Sequence, residues 1–132
     1  MSPPNRSDAT TEGVHVEVES FYDEERSAPQ ESYYFFAYRV RISNVGRRRV
    51  QLVSRRWVIT DANGEEERVE GPGVVGQQPI LEPGQGFEYT SFCPLKTPLG
   101  WMRGTYRMAT ADGGGFDAEI APFALAVPHA VN

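Results

Sequence analysis

Cysteine is almost missing from this chain of 132 residues: Cys93 stands alone, and histidine occurs only at His15 and His129. A single cysteine excludes an internal disulfide and any all-cysteine metal site. Neither histidine stands at ligand spacing from the other or from Cys93, so no built metal site is expected. No apolar run approaches the roughly 18 residues that a membrane helix needs, and no membrane association is expected. The start, Met1 to Ser7, has no apolar core of a secretory signal, which points to the cytoplasm. Excess positive charge is also missing: the formal net charge is -5, which argues against nucleic acid as the main partner. Helical periodicity is absent from every segment.

What remains is a soluble chain, 39% hydrophobic with a mean hydropathy of -0.47, and long enough to bury one core without staples. Its apolar residues recur with period two, the mark of strands with one buried face. Val14, Val16 and Val18 alternate with His15, Glu17 and Glu19, and Phe36, Tyr38, Val40 and Ile42 alternate with Arg39, Arg41 and Ser43. Between Val50 and Thr60 the apolar phase shifts, which predicts a β-bulge near Ser54 and Arg55. Asp61 to Gly64 reads as a hairpin turn, and the charged strand Glu65 to Val69 after it as a sheet edge. Alternation returns at Phe87 to Ser91, at Met102 to Met108, and after the turn Asp112 to Gly115, with Pro122 breaking the last ladder before Phe123. The expected fold is all-β: a seven-stranded antiparallel sandwich of the immunoglobulin or fibronectin type III kind. Val16, Phe36, Val40, Trp57, Phe87, Tyr106, Met108 and Phe116 are its expected core. Residues before Gly13 are polar and rich in Pro, Ser and Thr, and are expected to be disordered.

The run Gly71-Pro72-Gly73-Val74-Val75-Gly76-Gln77-Gln78-Pro79 imitates a dinucleotide-binding signature. That signature works only where a strand precedes it and a helix N-terminus follows to receive the pyrophosphate. Here Pro79 and Pro83 would break such a helix within its first turns, and no acidic residue follows about 20 positions on to hold a ribose. The run is therefore read as a helix-free loop in which Gly73 or Gly76 takes positive φ. Two roles stay open for it. The amides of Gly71, Gly73, Val74, Val75 and Gly76 could form an anion nest for phosphate or pyrophosphate, supplemented by Arg68. The plainer alternative is a crossover loop that packs Val74 and Val75 onto the sandwich.

Two further groups invite a binding reading. Arg39, Arg41, Arg47, Arg48, Arg49, Arg55 and Arg56 fall in a stretch without acidic residues. Arg39 and Arg41 are expected to pair across strands with Glu17 and Glu19, whereas the turn Arg47-Arg48-Arg49 has no evident local partner and suits an acidic one. In Tyr33 to Tyr38, the residues Tyr34, Phe36 and Tyr38 share the core phase, so Tyr33 and Phe35 point outward. Either a loop or the N-terminal tail covers them, or they form a partner or dimer surface. No histidine lies near Cys93 in sequence to activate it, and Asp112 and Asp117 flank an ordinary glycine turn. No catalytic constellation results.

Taken together, the glycine run, Leu81-Glu82-Pro83-Gly84, Phe87 to Ser91, Trp57 to Asp61 and Gly104 to Met108 resemble the ApaG family from about Val14 to Val127. One departure is Phe92, where the resemblance leads one to expect a small residue before Cys93. The resemblance implies a fibronectin type III-like sandwich, found alone in bacteria and fused to F-box regions in eukaryotes. It also implies a genetic association with cobalt and magnesium tolerance and, through gene neighbourhood, with diadenosine tetraphosphate metabolism. It brings no catalytic residue and no cofactor. Residues 14–127 are accordingly assigned to one ApaG domain, with tails at 1–13 and 128–132. The function expected is a non-catalytic module, monomeric or homodimeric, that binds a protein partner through Tyr33, Phe35 and Arg47 to Arg49. The alternative is binding, or hydrolysis, of a phosphate, pyrophosphate or nucleotide at the glycine run.

Overall fold

The structure, a computed structural model, describes residues 4–128. Nine strands follow one another: β1 (Arg6–Thr11), β2 (Val14–Tyr22), β3 (Tyr34–Asn44), β4 (Val50–Asp61), β5 (Glu66–Pro72), β6 (Ile80–Leu81), β7 (Gly86–Leu95), β8 (Leu99–Thr110) and β9 (Gly115–Ala126). A single 3₁₀ turn, Pro29–Glu31, interrupts the connection from β2 to β3. One sheet has the order β1-β2-β3-β7 and the other β5-β4-β8-β9, with β6 paired to β4; all pairings are antiparallel. The two sheets face each other across one apolar core, as the alternation requires.

Seven of the nine strands coincide with those read from the sequence; β1 and β6 are additional. The expected disorder of the N-terminal tail is corrected for Arg6–Thr11, which pairs with Val14–Glu19 through a tight turn in which Glu12 and Gly13 both have positive φ. A polar strand is held there by hydrogen bonds rather than by apolar burial. Ser7 Oγ donates to the Ala121 carbonyl at 2.7 Å, and the Ala124 amide donates to the Pro4 carbonyl at 2.8 Å. The expected tail at 128–132 lies, except for Pro128, outside the described residues, as does His129.

The bulge falls where the phase shift placed it, with the register of β4 against β8 slipping between Leu52 and Ser54. A second slip, between Met102 and Gly104, absorbs Pro122, and β9 resumes beyond the proline in the other phase, with Phe123 and Leu125 buried. Trp57 is 2% exposed and meets Tyr38, Tyr106 and Phe123 edge-on. Of the expected core only Phe87 is partly exposed, packing against the cluster from its margin.

Candidate functional site

The glycine run forms the end of β5 and a tight hairpin. Val74 and Gln77 exchange both backbone hydrogen bonds, at 2.8 and 2.9 Å, and Val75 and Gly76 between them have φ of 43° and 79°. Two successive positive φ values are those of a type I′ turn. No helix follows. The Gly73 amide donates to the Val53 carbonyl at 2.8 Å, so three amides of the run are already spent on protein acceptors. A Cβ at Gly73, where φ is +60°, would lie 2.2 Å from the Gln77 carbonyl oxygen, so the glycine is required by packing. Val74 is buried in the core, and Val75 projects from the tip, 54% exposed. Arg68 is not brought to this run: its guanidinium lies 3.3 Å from Glu66, toward the other end of β5. Arg55 reaches the run instead, donating from Nη1 to the carbonyls of Pro72 and Gly73 at 3.0 Å each.

The arginine turn lies at the opposite end of β3 from Tyr33 and Phe35. No acidic partner local in sequence meets it among the described residues, but two of its three arginines find distant ones. Arg48 contacts Glu12 at 3.1 Å and lies over the Phe116 ring, and Arg49 contacts Glu82 at 2.7 Å. Both acidic partners are distant in sequence, which is why the local stretch appeared unpaired. Among the described residues no ion pair involves Arg47.

The outward face of the first sheet grades from charged to aromatic along the strands. Register places Glu17 beside Arg41 beside Glu88, then Glu19 beside Arg39 beside Thr90, then Phe21 beside Ala37 beside Phe92. Arg39 pairs with Glu19 at 3.0 Å as expected, but Arg41 pairs with Glu88 at 3.0 Å in place of Glu17. At the aromatic end Tyr33 stacks on Phe35, centroids 6.1 Å apart, and Phe35 stacks on Phe92 at 5.5 Å. Arg26, from the β2–β3 connection, lies over Phe35 and Phe92 at 5.7 and 5.2 Å. Tyr33 and Phe92 remain 41% and 48% exposed, while Phe35 between them is half-buried. Phe92 and Arg26 were missed as site residues. The alternation of β7 already puts Phe92 outward, but nothing in the sequence brings Arg26 to it.

The titratable groups elsewhere are buried or engaged by neighbouring side chains. Burial pushes the Cys93 thiol up to about 12, helped by the nearby Glu67 carboxylate. Burial likewise raises Tyr38, Tyr89 and Tyr106, the last two sharing a hydroxyl–hydroxyl hydrogen bond in the core. Hydrogen bonds from the Thr110 hydroxyl and the Gly114 amide hold the Asp112 carboxyl below its usual range and brace the β8–β9 turn. His15 is flanked by Asp8 at 3.0 Å and Glu17 at 3.5 Å, one at each ring nitrogen. Among the described residues no group of three or more His, Cys, Asp or Glu is arranged to hold a metal ion, and no helix is long and apolar enough to cross a membrane.

Comparison with known proteins follows the same lines. The family model described as the ApaG domain matches residues 24–110. The chain is 61% identical over 126 residues to Protein ApaG of Anaeromyxobacter dehalogenans, covering 96% of this chain and 99% of that protein. It is 58% identical over 121 residues to Protein ApaG of Methylobacterium nodulans, covering 92% and 93%. The crystal structure of the putative ApaA protein from Bordetella pertussis superimposes with a TM-score of 0.86 at 47% identity, covering 96% of this chain and 99% of that one.

Proposed function

The chain belongs to the ApaG family, and on that premise we propose that it acts without catalysis, as a β-sandwich module that docks a protein partner in the cytoplasm. One observation carries this reading: Tyr33, Phe35 and Phe92 form a stacked aromatic cluster on the outward face of a rigid sheet, with Arg26 laid over it. Folding does not require large exposed rings, whereas interfaces are rich in aromatic residues and arginine. The arginine turn supplies a second, electrostatic contact that orients an acidic surface. The family-level association with cobalt and magnesium tolerance is attributed to the partner's activity rather than to metal held by this chain. The alternative, anion binding at the glycine run, has less support, because the amides of Gly73, Val74 and Gln77 already serve protein carbonyls.

The test is affinity capture with the folded chain as bait, followed by the variant Phe35→Ser. Loss of the captured protein, through faster dissociation, supports the reading. Binding that is indifferent to Phe35→Ser, or saturable amide shifts on titration with pyrophosphate confined to Gly73 to Gly76, would count against it.

A further inference from the structure

A two-sheet sandwich has four edges, and each edge strand offers unpaired backbone groups to any passing strand. Three of the four are guarded here. The edge of β9 is covered by β1: the Glu119 amide donates to Thr11 Oγ1 at 3.1 Å, Ser7 reaches Ala121, and Ala124 reaches Pro4. That contact closes β1 at the same time. The edge of β5 is guarded by charge, with Glu66, Glu67, Arg68 and Glu70 all within seven residues. The fourth edge, β7, is ten residues long; it carries Pro94 near its end, Glu88 paired with Arg41, and Arg26 laid over Phe92, but among the described residues no strand covers it.

The pairing pattern shows which groups of β7 are free. The Asn44 amide donates to the Gln85 carbonyl at 2.9 Å, and hydrogen-bonded pairs alternate along an antiparallel ladder. Phe87, Tyr89, Ser91 and Cys93 therefore turn their backbone groups toward β3, and Glu88, Thr90 and Phe92 turn theirs outward. Among the described residues none outside β3 takes a backbone hydrogen bond from these three. The side chain of Phe92, on the free edge, belongs to the exposed aromatic cluster.

Charge decides what fits beside this edge. Between the start of β5 and the end of β7 opens a cleft of about 380 Å³, whose lining includes the carboxylates of Asp61, Glu65, Glu66 and Glu67, one cation, Lys96, and the ring and apolar side chains of Tyr33, Ile59 and Leu95. Glu65 is paired with Lys96 and Glu66 with Arg68 and Arg103, whereas among the described residues Glu67 has no ion pair, and it stands close enough to Cys93 to raise its thiol. A second copy joined edge to edge through β7 would bring two acidic β5 edges to the same side, and like charges repel. A basic strand meets the opposite situation. Its lysines or arginines, at alternate positions, can lay their stems over Tyr33 and Leu95 and carry their charges to Glu67.

Resting on the reading of the chain as an interaction module, we infer that its partner contributes an extended basic segment, which adds to the free edge of β7 as a fifth strand. The backbone of Glu88, Thr90 and Phe92 supplies the pairing, and the acidic cleft beside β5 selects the charge. Alternate apolar residues of the segment rest against Phe92. Pairing of this kind takes its affinity from the main chain and its specificity from alternate side chains.

The experiment uses a peptide of about eight residues alternating lysine and valine, long enough to span the free edge at roughly 3.3 Å per residue. The expected result is saturable binding that slows hydrogen exchange at the amides of Glu88, Thr90 and Phe92. A glutamate–valine peptide should bind at least about tenfold more weakly, as should the lysine peptide to Glu67→Lys. Thr90→Pro, which removes an outward amide that β3 does not use, should abolish binding. Should that variant fail to fold, a lysine–valine peptide N-methylated at alternate residues makes the same test on the native chain. No saturable binding, equal binding of the two charge types, or protection elsewhere than on β7 overturns the inference. A captured protein whose binding survives both Glu67→Lys and the competing lysine peptide overturns it too, while leaving the interaction reading in place.

Discussion

Trp57 sits where both sheets converge, its indole enclosed by Tyr38, Tyr106 and Phe123. Trp57→Ala removes that contact and leaves a cavity, and should cost about 3–5 kcal/mol. Urea denaturation measures it, and a loss below about 1 kcal/mol would place the core elsewhere. Val75 poses the opposite case. It is a β-branched residue held at φ 43° on an exposed tip, a conformation that an L-residue with a branched side chain disfavours. Val75→Asn installs Asn-Gly, the sequence that a type I′ turn prefers, and should stabilise the fold by about 0.5–1 kcal/mol, read from the same denaturation curves. The position was legible as a glycine-bearing loop, but the strain on the valine was not. Spacing locates a turn; it does not say which residue must adopt the unfavourable dihedral.

The strands themselves were legible because each buries one face against the same core, so period two marks them even where a bulge or a proline shifts the phase. β1 escaped for the reason that makes it different: its residues are Arg, Ser, Asp, Ala, Thr and Thr, and hydrogen bonds to β2 and β9 take the place of apolar burial. The arginine turn shows the matching limit for charge. Glu12 and Glu82, which meet Arg48 and Arg49, are 36 and 33 positions away, and only the topology brings them near. These pairs are exposed, so each contributes little to stability. Replacing Arg47, Arg48 and Arg49 by serine should therefore leave the melting temperature nearly unchanged while slowing association with an acidic partner surface, most at low salt. Calorimetry and stopped-flow mixing separate the two effects, and an unfolded variant would show that the turn is structural.

Across the whole molecule, the buried phenols and thiol tie stability to alkaline pH. Cys93 ionises near its ordinary value of 9.0 once unfolded but only at about 12 when folded, and Tyr38, Tyr89 and Tyr106 are raised as well. The folded state thus holds protons that the unfolded state has released, so stability is full below about pH 9 and falls as pH rises beyond it. Melting curves between pH 7 and 12 should show a plateau and then a decline, and a rise over that interval would contradict the burial of these groups. The sandwich also sets what the molecule can present: one side sealed by β1 over β9, and the other left open between β5 and β7, with the aromatic cluster at its rim. The aromatic cluster on that open side is the basis for reading the chain as an interaction module, and hydrogen exchange of the full chain with and without its captured partner tests the reading most directly. Protection should concentrate at Tyr33, Phe35 and the outward β7 amides of Glu88, Thr90 and Phe92, with a smaller effect at Arg47 to Arg49 and the rest of the sandwich unchanged. Protection confined to the glycine hairpin at Gly73 to Gly76, with β7 exchanging as in the free chain, would contradict it.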